Sequence, residues 1–153
     1  MEAYFTLLQT TRQNFLHLLE KLDTDTLNRI PAGFNNNLAW HLGHLVVTPQ
    51  LLLYRLSGLE TQASERLIEQ FRKGTKPAEP LEAAIIEKLK QSFADFPARL
   101  KSDSVRGLFL EFSPYETSYG FGLSSFEDAL LFNNIHEGVH YGYALSLKRA
   151  LGA

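Results

Sequence analysis

Apolar residues recur at steps of three and four along most of this chain, which is the spacing of one face of an α-helix. Such runs cover residues 5–22, 38–56, 81–100 and 126–151, and a shorter one covers 63–73. Strand-like alternation is nearly absent, and only residues 108–112 are a candidate for a short strand. Four long amphipathic segments predict an all-α fold, a four-helix bundle with a long crossover connection.

The second long helix has recognisable ends and an unusual interior. Asparagines at 35–37 are good helix N-caps, and Ser57-Gly58 is a typical C-terminal signal. Pro49 lies inside the helix, at a cost of about 3 kcal/mol, and frees the carbonyl four residues earlier. That carbonyl belongs to Leu45, so a kink is expected close to His44.

The segment before the last helix is the irregular part of the chain. Residues 101–122 contain turn-forming and aromatic residues and form a long connection for a compact domain. The sequence Ser124-Ser125-Phe126-Glu127 reads as a Ser-x-x-Glu capping box that opens the last helix. We expect that helix to end near Leu151.

Composition excludes several classes of protein. The length of 153 residues suits a single domain, residues 1–153, and a net charge of −2 argues against a nucleic-acid-binding surface. The absence of cysteine excludes disulfides, thiolate nucleophiles and Cys-type zinc sites. No apolar run approaches the roughly 20 residues that span a bilayer, and the first residues do not show the basic and apolar pattern expected of a signal peptide. We therefore expect a cytoplasmic protein with no membrane partner.

Two histidines near the C-terminus are the strongest functional signal. His136 and His140 are four residues apart, so on a helix they lie one above the other and both can reach one metal ion. One more imidazole from the second helix would give three nitrogen ligands and an open coordination position, as in catalytic metal sites. The alternative is a purely structural role, in which both are core histidines held by hydrogen bonds.

Spacing alone does not decide which residue is the third ligand, because both His41 and His44 lie on the second helix near one face. Asn133 precedes His136 by one turn and could orient a ligand, and Glu137 points about 100° away from its neighbour. We treat His41, Asn133 and Glu137 as candidates for a surrounding shell of residues. His17 stands among polar residues and is expected at the surface.

The segment His136-Glu137-Gly138-Val139-His140 also fits the His-Glu-x-x-His pattern of zinc proteases, in which Glu137 would be the general base. Against this hydrolase hypothesis, the segment lies close to the C-terminus and leaves little chain for a third ligand. No sheet is predicted that could shape a peptide cleft.

Together, Trp40-His41-Leu42-Gly43-His44-Leu45 and His136-Glu137-Gly138-Val139-His140 resemble the two motifs of the DinB-like superfamily. The resemblance extends over essentially the whole chain. It implies a four-helix bundle with one divalent metal ion bound by three histidines, and usually a homodimer. Carried over position by position, it assigns His44, His136 and His140 as the ligands.

The resemblance also suggests an activity. Characterised members include transferases and isomerases that use low-molecular-weight thiols, so we expect a metal-dependent thiol S-transferase. Nickel, zinc, manganese and iron all suit imidazole ligands. Two alternatives remain, a non-catalytic metal-binding or structural homodimer and a metal-dependent hydrolase.

Overall fold

The computed structural model describes residues 1–153 and consists mainly of helices. The helices are α1 (Glu2–Leu19), α2 (Thr24–Asn28), α3 (Leu38–Pro49), α4 (Glu65–Phe71), α5 (Ala83–Val105) and α6 (Phe126–Ala150). The only strands, β1 (Tyr115–Glu116) and β2 (Gly122–Leu123), form a short antiparallel hairpin. The predicted all-α class is confirmed.

The four longest helical segments form a bundle in which each packs against two others. Helix α1 contacts α5 and α6, and α3 contacts the same two. The helices therefore follow the order α1, α5, α3, α6 around the bundle, with α3 and α6 as neighbours. This adjacency brings the second and last helices together, although about ninety residues separate their histidines in the sequence.

The apolar stripes read from the sequence form the core. One cluster includes Phe15, Leu42, Leu45 and Phe93, all almost completely buried. A second cluster lies nearer the other end of the bundle and includes Leu8, Leu53, Leu100 and Leu130. No helix of the structure combines the length and the apolar character needed to cross a membrane.

The proline in the second helix changes the type of helix that follows it. Helix α3 ends at Pro49, and Gln50–Tyr54 continues as a π-helix before a 3₁₀ turn at Arg55–Ser57. This 3₁₀ turn ends at Gly58, whose positive φ of 71° suits a glycine C-cap. The predicted disturbance after His44 thus takes the form of a π-helical turn, a feature frequent at functional sites.

Three local predictions were wrong. The helix predicted over residues 81–100 is α5, Ala83–Val105, so the irregular connection begins after Val105 and not at residue 101. Residues 108–112 are irregular, and the short strands lie later, at Tyr115–Glu116 and Gly122–Leu123. The N-cap of α6 is Ser125, one residue later than predicted, and its hydroxyl accepts a hydrogen bond from the backbone N–H of Asp128. The Asp128 carboxylate in turn accepts from the backbone N–H of Ser124, so the reciprocal cap uses Asp128 rather than Glu127.

Candidate metal centre

His44 projects from the middle of α3 and is 5% exposed. The helix begins at Asn37, whose side-chain oxygen accepts a hydrogen bond from the backbone N–H of Trp40. The Trp40 ring stacks on the His44 imidazole at a centroid distance of 4.8 Å and an angle of 10°. The Asn37 N-cap and the stacking on Trp40 together fix the position of the His44 imidazole.

A backbone carbonyl sets the tautomer of His44. Its Nδ1 lies 2.7 Å from the carbonyl oxygen of Phe71, the last residue of α4. A carbonyl only accepts, so Nδ1 must carry the proton and donate it. The neutral ring then has its lone pair on Nε2, and this kind of outer hydrogen bond is what orients metal-binding histidines.

His136 and His140 lie one turn apart on α6, with ring centroids 4.4 Å apart. The Nε2 atom of His136 lies 3.2 Å from the Nε2 atom of His44, across the boundary between α6 and α3. Among His44, His136 and His140, the potential ligand atoms all lie within 4.8 Å of one another. The structure therefore brings together the three histidines that the resemblance assigns as ligands.

The spacing of the ring nitrogens fits a metal ion. Bonds of about 2.0–2.1 Å at tetrahedral to octahedral angles place two ligand nitrogens roughly 2.8–3.4 Å apart. The observed 3.2 Å between the Nε2 atoms of His44 and His136 lies inside this range. His136 Nδ1 is buried and has no hydrogen-bond partner in the protein. The donor set, three imidazoles with no carboxylate or thiolate, suits a borderline divalent ion such as zinc or nickel.

Burial keeps these imidazoles neutral at physiological pH. It lowers the pKa of His136 to about 3, with a further lowering by the neighbouring His44 and His41. Burial also lowers the pKa of His44 and of His140, in the first case against the opposing effect of the Phe71 carbonyl. A metal ligand must be a neutral imidazole with a free lone pair, so the electrostatics and the geometry agree.

His41 lies directly behind the cluster. Its Nδ1 is 2.7 Å from Nδ1 of His140, so one ring donates a hydrogen bond to the other. Burial lowers the pKa of His41 to about 4, which keeps this ring neutral as well. If Nε2 of His140 binds a metal, its Nδ1 carries the proton and donates to His41. The position of His41 is thus that of a residue supporting a ligand.

Asn133 and Glu137 face a different network. Glu137 is completely buried, and its carboxylate accepts hydrogen bonds from Arg12 at 2.7 Å and from Asn133 at 3.0 Å. Neither residue hydrogen-bonds to a histidine of the cluster. A carboxylate engaged in this way does not fit the role of a general base, so the structure does not support the protease hypothesis for Glu137.

Sequence reasoning missed Arg12, which is 1% exposed and connects four helices. Besides Glu137 on α6, it donates to the carbonyl of Phe93 on α5 at 2.9 Å and to that of Leu45 on α3 at 3.1 Å. The Leu45 carbonyl is the one that Pro49 leaves without a helical partner. The available signal was a charged residue on the apolar stripe of α1.

His44 and His136 open onto a cleft of about 310 Å³. Its walls come from the end of α3 and the turns after it, from the β-hairpin region and from α6. The remaining lining residues are Thr48, Leu51, Leu52, Arg55, Leu56, Lys73, Tyr115, Thr117, Ser118 and Phe132. The cluster is therefore closed by protein on the side of Trp40 and His41 and accessible from the cleft.

His17 lies apart from the cluster on α1, where its exposed ring pairs with Glu20. This position agrees with its expected surface location.

Comparison with known protein families agrees with the geometry. The family model of the DinB superfamily matches residues 7–144, a range that includes all the histidines of the cluster and Arg12. No curated protein matches the chain. Because the match spans most of the sequence, the protein belongs to the DinB superfamily.

Proposed function

We propose that the protein is a metal-dependent enzyme that transfers a low-molecular-weight thiol to a small electrophile. The observation that carries the proposal is the cluster of His44, His136 and His140, three neutral imidazoles of which His44 and His136 line an accessible cleft. A divalent ion held by these three neutral ligands would keep its full charge and would lower the pKa of a thiol brought to it, so that the thiol would be nucleophilic near neutral pH.

The protein's own residues prepare the site in two ways. The Phe71 carbonyl and the Trp40 ring hold His44 with its Nε2 directed at His136. The apolar surface of the cleft gives the organic part of a substrate a place to bind beside the histidines. Because the chain has no cysteine, the thiol must come from a second molecule.

A hydrolase is less well supported than a transferase. Hydrolysis usually uses a general base for the attacking water, and the cleft is lined by no aspartate or glutamate. Glu137, the carboxylate nearest to the histidines in sequence, is paired with Arg12.

Metal content and turnover test the proposal together. The purified protein should retain one divalent ion per chain and should turn over at least one of bacillithiol, mycothiol, glutathione or coenzyme A with a panel of electrophiles. Turnover should disappear in His136→Ala and persist in His17→Ala, which matches it in chemistry but lies outside the cluster. A metal-loaded protein without turnover in the whole panel would favour a non-catalytic, metal-binding role.

We further propose that the protein forms a homodimer through α6. Ile135 and Val139 lie one turn apart on this helix and are 43% and 59% exposed. Gly138 and Gly142 add a smooth surface, since a Cβ at either position would meet no other atom. A second copy of the same chain would bury these apolar side chains and allow close helix packing.

A further inference from the structure

The cleft above the histidines has an apolar body. Leu51, Leu52 and Leu56 line it from the turns after Pro49, and Phe132 lines it from α6. The π-helix contributes to this lining, because Leu51 and Leu52 belong to Gln50–Tyr54. A ligand in this cleft would therefore place a hydrocarbon or aromatic part against these side chains.

The charged side chains that line the cleft are all positive. Arg55 and Lys73 are its only ionisable lining residues apart from His44, His136 and Tyr115, and no carboxylate lines it. Arg55 is bound to Glu65, which neutralises much of its charge. None of the ion pairs in the structure includes Lys73. Lys73 is thus a free ammonium group at the exposed part of the cleft.

We infer that the cleft binds a small organic anion, with its apolar part against the leucines and its negatively charged group on Lys73. This inference rests on the proposed function in one respect, namely that the group at the opposite end of the ligand reaches the metal bound by His44, His136 and His140. A volume of about 310 Å³ accommodates a small molecule rather than a peptide or a nucleic acid.

The polar side chains at the edge of the cleft also favour an anionic ligand. Thr117 and Ser118 belong to the loop between the two short strands, and the Thr117 hydroxyl donates to the Phe121 carbonyl. That bond uses the only proton of the Thr117 hydroxyl, so of these two residues only Ser118 keeps an O–H available to a ligand. The Ser118 hydroxyl can donate a hydrogen bond to an anion, whereas a carboxylate here would repel it.

Two thiols that differ only in the charge at one end test the inference. Mercaptohexanoate and mercaptohexanol share a stem and a thiol, but only the first carries a carboxylate. Titrated into the cobalt-loaded protein, each reports binding through the absorbance of the sulfur–cobalt bond. Mercaptohexanoate should bind about fivefold more tightly than mercaptohexanol. Lys73→Gln should remove this preference without weakening mercaptohexanol, and Lys76→Gln, an exposed lysine outside the cleft, should preserve it.

The outcomes separate the anion site from the metal centre. Equal affinity of the wild-type protein for both thiols, or an equal effect of Lys73→Gln and Lys76→Gln, would overturn the anion site while the cobalt spectrum still supports the metal centre. Failure to bind cobalt would overturn the metal centre instead. The metal-free protein then provides the independent reading, since hexanoate should perturb the nuclear magnetic resonance signals of the cleft residues more strongly than hexanol. The absence of this difference would also overturn the anion site.

Discussion

The guanidinium of Arg12 and the carboxylate of Glu137 lie 2.7 Å apart, and both side chains are almost completely excluded from solvent. The pair joins α1 to α6 at the residue next to His136. Arg12 also binds the carbonyl of Leu45, the residue next to His44. One side chain therefore connects the two ligand-bearing helices from behind, without contacting the histidines.

Replacing one member of this pair should strongly destabilise the fold. Arg12→Met leaves a buried carboxylate without its partner and two carbonyls without a donor, so the free energy of unfolding should fall by about 3–5 kcal/mol. Urea denaturation measures this change. Lys101→Met, which removes an exposed ion pair with Glu2, should cost less than about 1 kcal/mol. The double variant Arg12→Met with Glu137→Met should be more stable than the sum of the single losses predicts; strict additivity would contradict the coupling.

Metal retention should depend on the cluster and not on histidine content. His140→Ala removes one of three ligands and should reduce the metal retained after dialysis to a small fraction of the wild-type value. His17→Ala removes an exposed imidazole and should retain as much metal as the wild type. Elemental analysis by mass spectrometry provides the measurement, and equal retention in the two variants would rule out the assigned site.

His41 should support the centre through His140. His41→Phe keeps a ring of similar shape but loses the hydrogen bond between the two Nδ1 atoms. Loss of such an outer partner typically weakens metal binding by about 10–100-fold. Competition with a chelator of known affinity measures the change, with circular dichroism as the control for folding. Unchanged affinity would mean that the contact with His140 has no role in binding.

The metal-free protein should lose stability as the solution is acidified. The unfolded chain takes up protons at its histidines below the ordinary pKa of 6.5, whereas burial keeps the folded-state pKa of His41 at about 4 and that of His136 at about 3. The unfolded state therefore binds more protons in this window, and each such histidine contributes up to about 1.4 kcal/mol of lost stability per pH unit. Urea denaturation in the presence of a chelator should show the decline between roughly pH 6.5 and 4. A flat profile in the wild type would contradict the prediction, because it would mean that the folded protein takes up protons at these histidines as readily as the unfolded chain.

The homodimer has a direct test in molar mass. Light scattering of the wild-type protein should give about twice the chain mass of 17.3 kDa. Val139→Asp places a charge on the exposed face of α6 and should shift the mass to that of one chain. Val105→Asp is a matched control at an exposed apolar position of α5. A monomeric wild type would refute the dimer.

The sequence predicted features that depend on short spacings. The steps of three and four gave the long helices, and the i,i+4 relationship of His136 and His140 indicated a shared ligand. The sequence also identified the carbonyl of Leu45 as the one freed by Pro49, but it could not identify Arg12 as the group that binds this carbonyl. That contact, like the one between His44 and Phe71, joins separate helices, and no local pattern specifies which helix faces which.

Gly43 packs so closely against Phe71 that a Cβ at this position would lie within 3.0 Å of three atoms of the aromatic ring. The same Phe71 supplies the carbonyl that fixes the tautomer of His44. A single added methyl group at Gly43 would thus force the Phe71 ring to move, and the carbonyl that holds the His44 imidazole belongs to the same residue. The absence of a side chain at Gly43 therefore lets the seven-residue helix α4 approach α3 closely enough for Phe71 to reach His44.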